Sequence, residues 1–259
     1  DIQEGSFDMT ASNVMAIAPQ RSSDGYTRLW LNTHQPWEGP VAWYEAHLES
    51  KEGWDFYGAL FPGSPVPLIG HNKDLGWSHT VNSPDLIDVY KLTINKQNEN
   101  QYWFEGYWKD FDVRTADIKV KIIGPFSWTF KREVKTSIHG PVLDFSHGTY
   151  SLRISSIKNL RFIEQWYEMG KSKNLTQFKK AMNIHAIPMF NTGYADKNGN
   201  IYYVYNAKIP KRNNKYNWSK ILPGESKQAI WYEYVPYNEL PFVENPLEVR
   251  YCCCRLTRC

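Results

Sequence analysis

The stretch Ser12-Asn13-Val14-Met15-Ala16-Ile17-Ala18 places a serine directly before a short apolar run, and His34 follows in Asn32-Thr33-His34-Gln35-Pro36-Trp37. If the bond between Ala11 and Ser12 is cut, Ser12 carries both a hydroxyl nucleophile and an α-amine. The reference pKa of such an amine, about 7.7–8.0, leaves much of it as a free base near neutral pH. A nucleophile and a base on one residue form the N-terminal variant of activated-nucleophile catalysis. Taken alone, the same residues also fit a plain turn before a strand.

Composition narrows the class of protein. The 259 residues suffice for one large domain or two small ones. Aromatic residues make up 15% of the chain, which suits an aromatic-rich β core or an apolar substrate cleft. The net charge of +3 gives no case for nucleic acid or for an anionic membrane surface as a partner. No run of 18 apolar residues predicts a membrane span, and the first residues do not form a signal peptide.

Two further compositional features have plain interpretations. The densest basic run, residues 208–215, is rich in Asn and contains Pro, which predicts a solvated loop. All 4 cysteines lie in the last eight residues, so no disulfide framework is expected to support the fold. The run Cys252-Cys253-Cys254 also lacks the ligand spacing of a zinc site.

The chain up to about residue 94 is predicted to consist of strands. Residues 14–18 and 28–31 are expected to pair around the turn at 22–25. Further strands are predicted over 41–48, 55–61, 75–81 and 87–94, a polar loop over 96–101, a hairpin at 103–108, a half-buried strand over 117–123 and a strand over 127–134.

Helical spacing is confined to residues 158–182, where Gly170 is expected to end one helix and Asn174 to cap a second. An Asn-Gly pair at 198–199 then predicts a β-hairpin over 194–202. Strand-rich halves around a helical pair predict a layered α+β domain.

An ordered series of motifs resembles the start of the β-chain in the penicillin acylase family of N-terminal-nucleophile (Ntn) hydrolases. That family includes penicillin, cephalosporin and acyl-homoserine-lactone acylases. The matching segments are Ser12 to Pro19, Asn32 to Trp37, Trp43-Tyr44-Glu45-Ala46-His47-Leu48, Phe61-Pro62-Gly63-Ser64-Pro65, Gly70-His71-Asn72 and Leu75 to Asn82. The resemblance continues more loosely to about Pro246.

The resemblance implies a four-layer αββα sandwich, present here in part, with Ser12 at the end of a central strand. It also implies three segments: residues 1–11 as the end of a spacer peptide, 12–246 as a partial Ntn-hydrolase β-chain domain, and 247–259 as an aberrant tail. A separate α-chain from the same precursor is the implied partner, and a bacterial periplasmic or secreted location the implied compartment.

The resemblance assigns catalytic roles to four residues. Ser12 would attack an amide carbonyl after autocatalytic processing of an inactive precursor, and His34 would orient the serine amine and assist proton transfer. The backbone N–H of Val81 would form half of an oxyanion hole. Asn13 would anchor the end of the strand, with a turn asparagine as the equal alternative. His79 and His47 are expected to be structural, and His71 to serve a tight turn.

Asp85-Leu86-Ile87-Asp88 resembles the calcium segment of penicillin acylases, with Asp85, Asp88 and the Ile87 carbonyl as ligands. These would be a partial set, because calcium takes six to eight oxygens. The Pro84-Asp85 pair also fits an ordinary loop start. No cofactor is expected for catalysis, and calcium would be structural.

The family pattern stops after Asn245-Pro246, where an Asn-x-Asn segment would otherwise complete the oxyanion hole. The sequence instead runs from Leu247 to Cys259, which indicates a truncated or frame-shifted product. The expected function is therefore that of an amidase that removes an acyl group from an acyl-homoserine lactone, a β-lactam or a related amide, a reaction that degrades antibiotics or quorum signals. This chain as it stands is expected to show little turnover. The alternatives are a non-catalytic ligand-binding fragment and an unrelated Trp-rich carbohydrate-binding module.

Overall fold

The computed structural model describes residues 12–246, and strands predominate throughout. In chain order the elements are β1 (Ser12–Ile17), β2 (Arg28–Thr33), β3 (Tyr44–Ser50), β4 (Trp54–Leu60), β5 (Ile69–His71), β6 (Leu75–Thr80), β7 (Ile87–Leu92), β8 (Ile94–Asn95), β9 (Asn98–Phe104), β10 (Tyr107–Asp110), β11 (Asp112–Ile123), β12 (Phe126–Thr136), β13 (Val142–Phe145), β14 (Gly148–Ile154), α1 (Phe162–Lys171), α2 (Leu175–Met182), β15 (Asn191–Asp196), β16 (Ile201–Tyr205), β17 (Leu222–Pro223) and β18 (Phe242–Glu244). Three short 3-10 turns lie at Pro19–Arg21, Lys227–Ala229 and Tyr237–Glu239.

The described residues divide into two compact units. Residues 12–84, 156–208 and 235–246 form the first, and residues 85–155 and 209–234 form the second. Sequence analysis treated 12–246 as one domain and did not anticipate this division. The segments predicted as a spacer (1–11) and an aberrant tail (247–259) lie outside the described residues.

The first unit is built on a seven-stranded sheet in the order β18-β16-β15-β6-β5-β4-β3. On one face, Phe178 of α2 packs against Trp77 and Tyr194 with ring centroids 5.7 and 4.6 Å apart. On the other face, Ala16 of β1 and Leu29 of β2 cluster with Ala195. Side chains alternate across a strand, so the helices and the β1–β2 hairpin cover opposite faces of the sheet.

The resulting order of layers is helix, sheet, sheet, which gives three of the four layers of the predicted sandwich. The α+β class is confirmed. Residues 12–246 do not include a second helical layer. Within these residues β1 pairs with β2 alone. Ser12 therefore begins a strand as predicted, but that strand is not central in the part of the protein described.

The second unit contains three small sheets, all among residues 85–155 and 209–234. Their orders are β13-β14-β7-β17, β10-β9-β8 and β11-β12. Its core packs Leu92, Tyr102, Phe104, Phe111 and Ile230 together. No helix within residues 12–246 is long and apolar enough to cross a membrane.

Local sequence signals predicted several elements correctly. The β1–β2 hairpin pairs Ser12 with Thr33 through Ile17 with Arg28. The Asn174 side chain caps α2 by accepting a hydrogen bond from the Gln177 N–H at 3.0 Å. The Asn-Gly turn joins β15 to β16 as expected.

Two of the local predictions were wrong. Most of the polar stretch 96–101, predicted as a loop, belongs to β9, which pairs with β8 and β10. The strand predicted as half-buried over 117–123 is part of β11, and every one of those residues is exposed. Alternation predicts an amphipathic strand but cannot tell whether anything covers its apolar face.

Candidate active site

Strand β1 is seated on the main sheet by a glycine. A Cβ atom on Gly193 of β15 would lie 2.7 and 2.8 Å from the two γ-carbons of Val14, closer than real carbon contacts allow. Val14 is only 1% exposed, so it has no free space into which to retreat. The bare backbone at Gly193 therefore sets how closely β1 can approach, and with it the position of Ser12 two residues away.

Ser12 lines a pocket at the end of the β1–β2 hairpin. The side chain is buried, and the pocket has an empty volume of about 380 Å³, open solvent at its mouth included. Aromatic and aliphatic side chains dominate its wall, and the polar members are few. The lining residues are Ser12, Thr33, Gln35, Trp43, Phe61, Leu68, Ile69, His79, Thr80, Val81, Trp166 and Phe190. A mostly apolar wall with a few polar groups is typical of a small-molecule site.

His34 contacts the neighbour of Ser12 rather than lining the pocket itself. Its Nε2 lies 3.2 Å from Asn13 Nδ2 and 3.3 Å from Asn32 Nδ2. An amide NH₂ group can only donate, so Nε2 is the acceptor of both contacts. The structure thus joins three of the residues singled out in the sequence, with Asn13 standing between Ser12 and His34.

Val81 follows directly after β6 and shares the pocket with Ser12, as its predicted role requires. Beside Val81, Asn82 holds the backbone of Phe190, another residue of the pocket wall. Its Oδ1 accepts the Phe190 N–H at 2.8 Å, and its Nδ2 donates to the Asn206 carbonyl at 3.0 Å. Phe190 has a φ of 98°, which a side-chain-bearing residue seldom adopts. Asn82 therefore holds Phe190 in a strained backbone conformation, and Phe190 lines the pocket.

His79 contributes a neutral imidazole to the pocket wall. Its Nε2 accepts from Trp166 Nε1 at 3.0 Å, and its Nδ1 lies 3.1 Å from Thr192 Oγ1. Burial lowers the pKa of His79 to about 4. The prediction that His79 is structural agrees with these bonds, but it did not place the ring at the pocket.

The Arg212 guanidinium provides a cation beside the segment that is predicted to bind calcium. Arg212 Nη2 lies 3.1 Å from Asp85 Oδ1 and 3.0 Å from the Asp85 carbonyl oxygen, and Arg212 Nε lies 3.0 Å from Asp88 Oδ2. Trp231 Nε1 donates to the same Asp88 oxygen at 2.5 Å. Burial raises the pKa of Asp88, and the bonds from Trp231 and Arg212 oppose that effect.

Arg212 takes up part of the predicted calcium ligand set. One carboxylate oxygen of Asp85 and one of Asp88 already pair with its guanidinium, and Ile87 begins β7, where it pairs with Ile154. Within residues 12–246, no group of three or more His, Cys, Asp or Glu side chains is arranged to hold a metal. The calcium hypothesis for Asp85, Ile87 and Asp88 stays a prediction, and within the described residues Asp85 and Asp88 form an arginine clasp with Arg212.

Sequence reasoning missed residues that act at a distance along the chain. Arg212 lies in the run predicted as a solvated loop, yet its side chain is only 13% exposed. Trp166 was read as core packing and Phe190 was not singled out. No local signal marks them, since both reach the pocket from elements more than eighty residues beyond Thr80. Asn82 lies in the matching segment Leu75 to Asn82, and that position was the available sequence signal.

A serine opens the β-hairpin, and its pocket lies at the edge of a helix-covered sheet. The family model described as penicillin amidase matches residues 2–249. The chain belongs to that family.

Relatives and solved structures agree with this assignment. The chain is 31% identical over 207 residues to an acyl-homoserine lactone acylase, PvdQ, of Pseudomonas fluorescens (strain Pf0-1), which covers 77% of this chain and 27% of that protein. It is 27% identical over 208 residues to the aculeacin-A acylase of Actinoplanes utahensis, covering 77% and 26%. The chain thus spans about a quarter of the length of these curated relatives.

The fold is also that of a solved enzyme. A thermostable penicillin G acylase from Alcaligenes faecalis superimposes with a TM-score of 0.79 over 95% of this chain and 44% of that one. The sequence identity of 24% makes this a similarity of fold.

The buried imidazole predicts an acid-sensitive pocket. The native pKa of His79, about 4, lies below the unfolded value of about 6.5, so the unfolded state binds the proton first as pH falls. The stability from this group is complete above pH 6.5 and is lost between pH 6.5 and 4, by about 3 kcal/mol. Urea unfolding at pH 7 and pH 4.5 should show a smaller loss for His79→Gln, whose side chain does not take up a proton in this range. Equal losses in the two proteins would contradict the assignment.

The arginine clasp predicts stability without calcium. Removing one member of a buried pair costs about 3–5 kcal/mol because the partner charge is left alone. Arg212→Gln should therefore lower the melting temperature strongly, whereas Lys211→Gln, its exposed neighbour, should not. Neither calcium nor a chelator should shift the melting temperature of the unaltered protein. A stabilising shift with calcium would support the metal hypothesis.

Proposed function

We propose that the chain supplies the nucleophile half of an acylase, an enzyme that hydrolyses the amide bond between an acyl group and an amine. The observation that carries the proposal is the position of Ser12, buried at the start of β1 in a pocket lined by four aromatic rings. Family membership supports the reaction class, because the relatives are named acylases.

In the proposed mechanism the Ser12 hydroxyl attacks the substrate carbonyl while its own α-amine takes the proton. The amine then returns that proton to the departing nitrogen, which leaves an acyl ester on Ser12. Water attacks the ester in the second half, and the same amine accepts its proton and returns it to Ser12 Oγ as the acid departs. In each half of the reaction the nitrogen accepts one proton and gives it back, so the enzyme is unchanged after each turnover.

The neighbouring residues receive positioning and electrostatic roles. His34 acts through Asn13, whose amide lies within hydrogen-bond distance of its Nε2, so the pair holds the start of β1 in register. The Val81 N–H would donate to the developing oxyanion, an interaction typically worth about 3–4 kcal/mol in the transition state. The neutral state of His79 keeps charge out of the acyl pocket.

The pocket wall favours an apolar acyl chain over a polar one. Trp43 and Phe61 stack with ring centroids 4.3 Å apart, and Phe190 lies beside His79 at 5.7 Å. Desolvating such surfaces by an alkyl or aryl chain yields about 25 cal/mol per Å² of apolar area buried. The proposed substrates are therefore small acyl amides, the class that includes acyl-homoserine lactones and β-lactams.

Processing at Ser12 is part of the proposal. While Ala11 is joined to Ser12, the serine nitrogen belongs to an amide and cannot act as a base. The uncut chain should therefore lack turnover, and attack of Ser12 Oγ on the Ala11 carbonyl would expose the amine. In the runner-up, a non-catalytic fragment that only binds acyl ligands, no such cleavage occurs.

Intact-mass measurement tests the processing step. A chain beginning at Ser12 should appear over time, and Ser12→Ala should remain uncut because the nucleophile is gone. Ser23→Ala, in the exposed turn between β1 and β2, should be processed normally. The cleaved protein should then release a chromogenic amine from an acyl anilide slowly but above the Ser12→Ala blank, because the Val81 N–H is the one oxyanion donor that the proposal assigns.

A folded chain that stays uncut, or an equal rate in both serine variants, would contradict the mechanism. Saturable binding of the anilide without cleavage or turnover would favour the ligand-binding fragment.

A further inference from the structure

The second unit carries a long two-stranded ribbon, β11–β12, that the proposed chemistry does not use. The two strands run antiparallel with Asp112 opposite Thr136 and Ile123 opposite Phe126. Apart from Ala116, Lys135 and Thr136, all of the residues in these strands are exposed. Strands of this length normally bury one face, so the ribbon presents an unusual surface.

One face of the ribbon is apolar over most of its length. Ile118 lies opposite Phe130 and Val120 opposite Trp128, so the four side chains share a face. Their neighbours on the same face extend the patch to the tip. Exposure across this face ranges from 43% to 71% for Ile118, Val120, Phe126, Trp128 and Phe130, whereas Arg114 and Arg132 occupy the same face farther from the tip. Contiguous exposed apolar surface of this kind marks an interaction site.

The other face is basic towards the tip. Lys119 lies opposite Thr129 and Lys121 opposite Ser127, and Lys131 pairs across from Asp117. Between residues 118 and 131 the sequence has three lysines and no acidic residue. The ribbon is therefore amphipathic, and the part nearer the tip than the Asp117–Lys131 pair carries Lys119 and Lys121 and no acidic residue.

The tip itself is apolar and narrow. Gly124, with a φ of 54°, and Pro125 connect the strands, and Ile123 beside them is 73% exposed. Behind the apolar turn, Lys121, Trp128, Lys119 and Phe130 follow at successive cross-strand levels. Lysines of one face and aromatic rings of the other therefore lie at similar distances from the tip, as suits the headgroup region of a bilayer surface. Apolar tips enter the acyl boundary, tryptophan settles at the headgroups, and lysines reach phosphates.

We propose that β11–β12 docks the protein on an anionic phospholipid surface, with its apolar face and tip in the interfacial region. Amphipathic elements with lysine on one face and Trp, Phe or Ile on the other lie in the interface plane. The three lysines supply the charge complementarity, since each basic residue near an anionic leaflet adds favourable binding energy. The net charge of +3 for the whole chain conceals this local concentration, because acidic residues elsewhere offset it.

Vesicle flotation tests the proposal, because bound protein rises through a density gradient while aggregated protein sinks. At low salt the full chain should float with vesicles of phosphatidylcholine and phosphatidylglycerol and not with phosphatidylcholine alone. The triple variant Lys119→Gln, Lys121→Gln, Lys131→Gln should bind at least roughly tenfold more weakly. Phe126→Asp with Ile123→Asp should abolish flotation, since the tip can no longer enter the interface.

Matched variants control for general loss of charge or apolar surface. Lys211→Gln, Lys215→Gln, Lys220→Gln removes the same charge from another exposed segment, and Leu160→Ser removes an apolar side chain that is 76% exposed. Both should float as the unaltered protein does. Circular dichroism of each variant confirms that it is folded.

Several results would overturn the proposal. These are absence of flotation, equal flotation with neutral vesicles, or equal losses in ribbon and control variants. A concentration-dependent dimer that Phe126→Asp dissociates, without any flotation, would instead assign the face to a second copy of this chain. Flotation of the unaltered protein that is lost only in the ribbon variants is the expected result.

Discussion

The close approach of Val14 to Gly193 is the contact on which the candidate site depends. β1 can lie against β15 only because Gly193 has no side chain, and any Cβ there would overlap both γ-carbons of a buried valine. Protein interiors are packed at crystal-like density, so such a contact fixes position to a fraction of an ångström. Ser12 inherits that precision two residues along the strand. The same seating aligns Thr33 opposite Ser12 and brings both to one pocket.

The two compact units use charge in different ways. The pocket of the first unit keeps charge away, because burial lowers the pKa of its histidine, His79, and holds the ring neutral. The second unit instead buries the Asp88 carboxylate, whose Oδ2 accepts from a guanidinium and an indole, while its Oδ1 has no hydrogen-bond partner among the described residues. An arginine clasp gives the segment from Asp85 to Asp88 a permanent partner, where an ion would dissociate. Its orientation is fixed by several hydrogen bonds, which a spherical ion cannot provide.

The sequence predicted the features that a few adjacent residues determine. It did not predict the contacts between residues that are far apart along the chain. The hairpin of β1 and β2, the Asn174 cap and the Asn-Gly turn each follow from a few adjacent residues. The resemblance pointed to Ser12, Asn13, His34 and Val81, and the structure gathers all four around one end of the hairpin. By contrast, Arg212 was assigned to solvent because its partners lie more than a hundred residues earlier. The exposure of β11 was also invisible, since alternation reports two faces and not what covers them.

The packing of β1 is tested most directly by a double-mutant cycle on Val14 and Gly193, read as the free energy of unfolding in urea. Gly193→Ala should cost about 1–3 kcal/mol through overpacking, and Val14→Ala a similar amount through lost contacts. In the double variant the new methyl group occupies the space that the valine leaves. Its destabilisation should therefore fall short of the sum of the single effects by at least about 1 kcal/mol. Additive effects, or a harmless Gly193→Ala, would contradict the claim that this glycine seats the strand that carries Ser12.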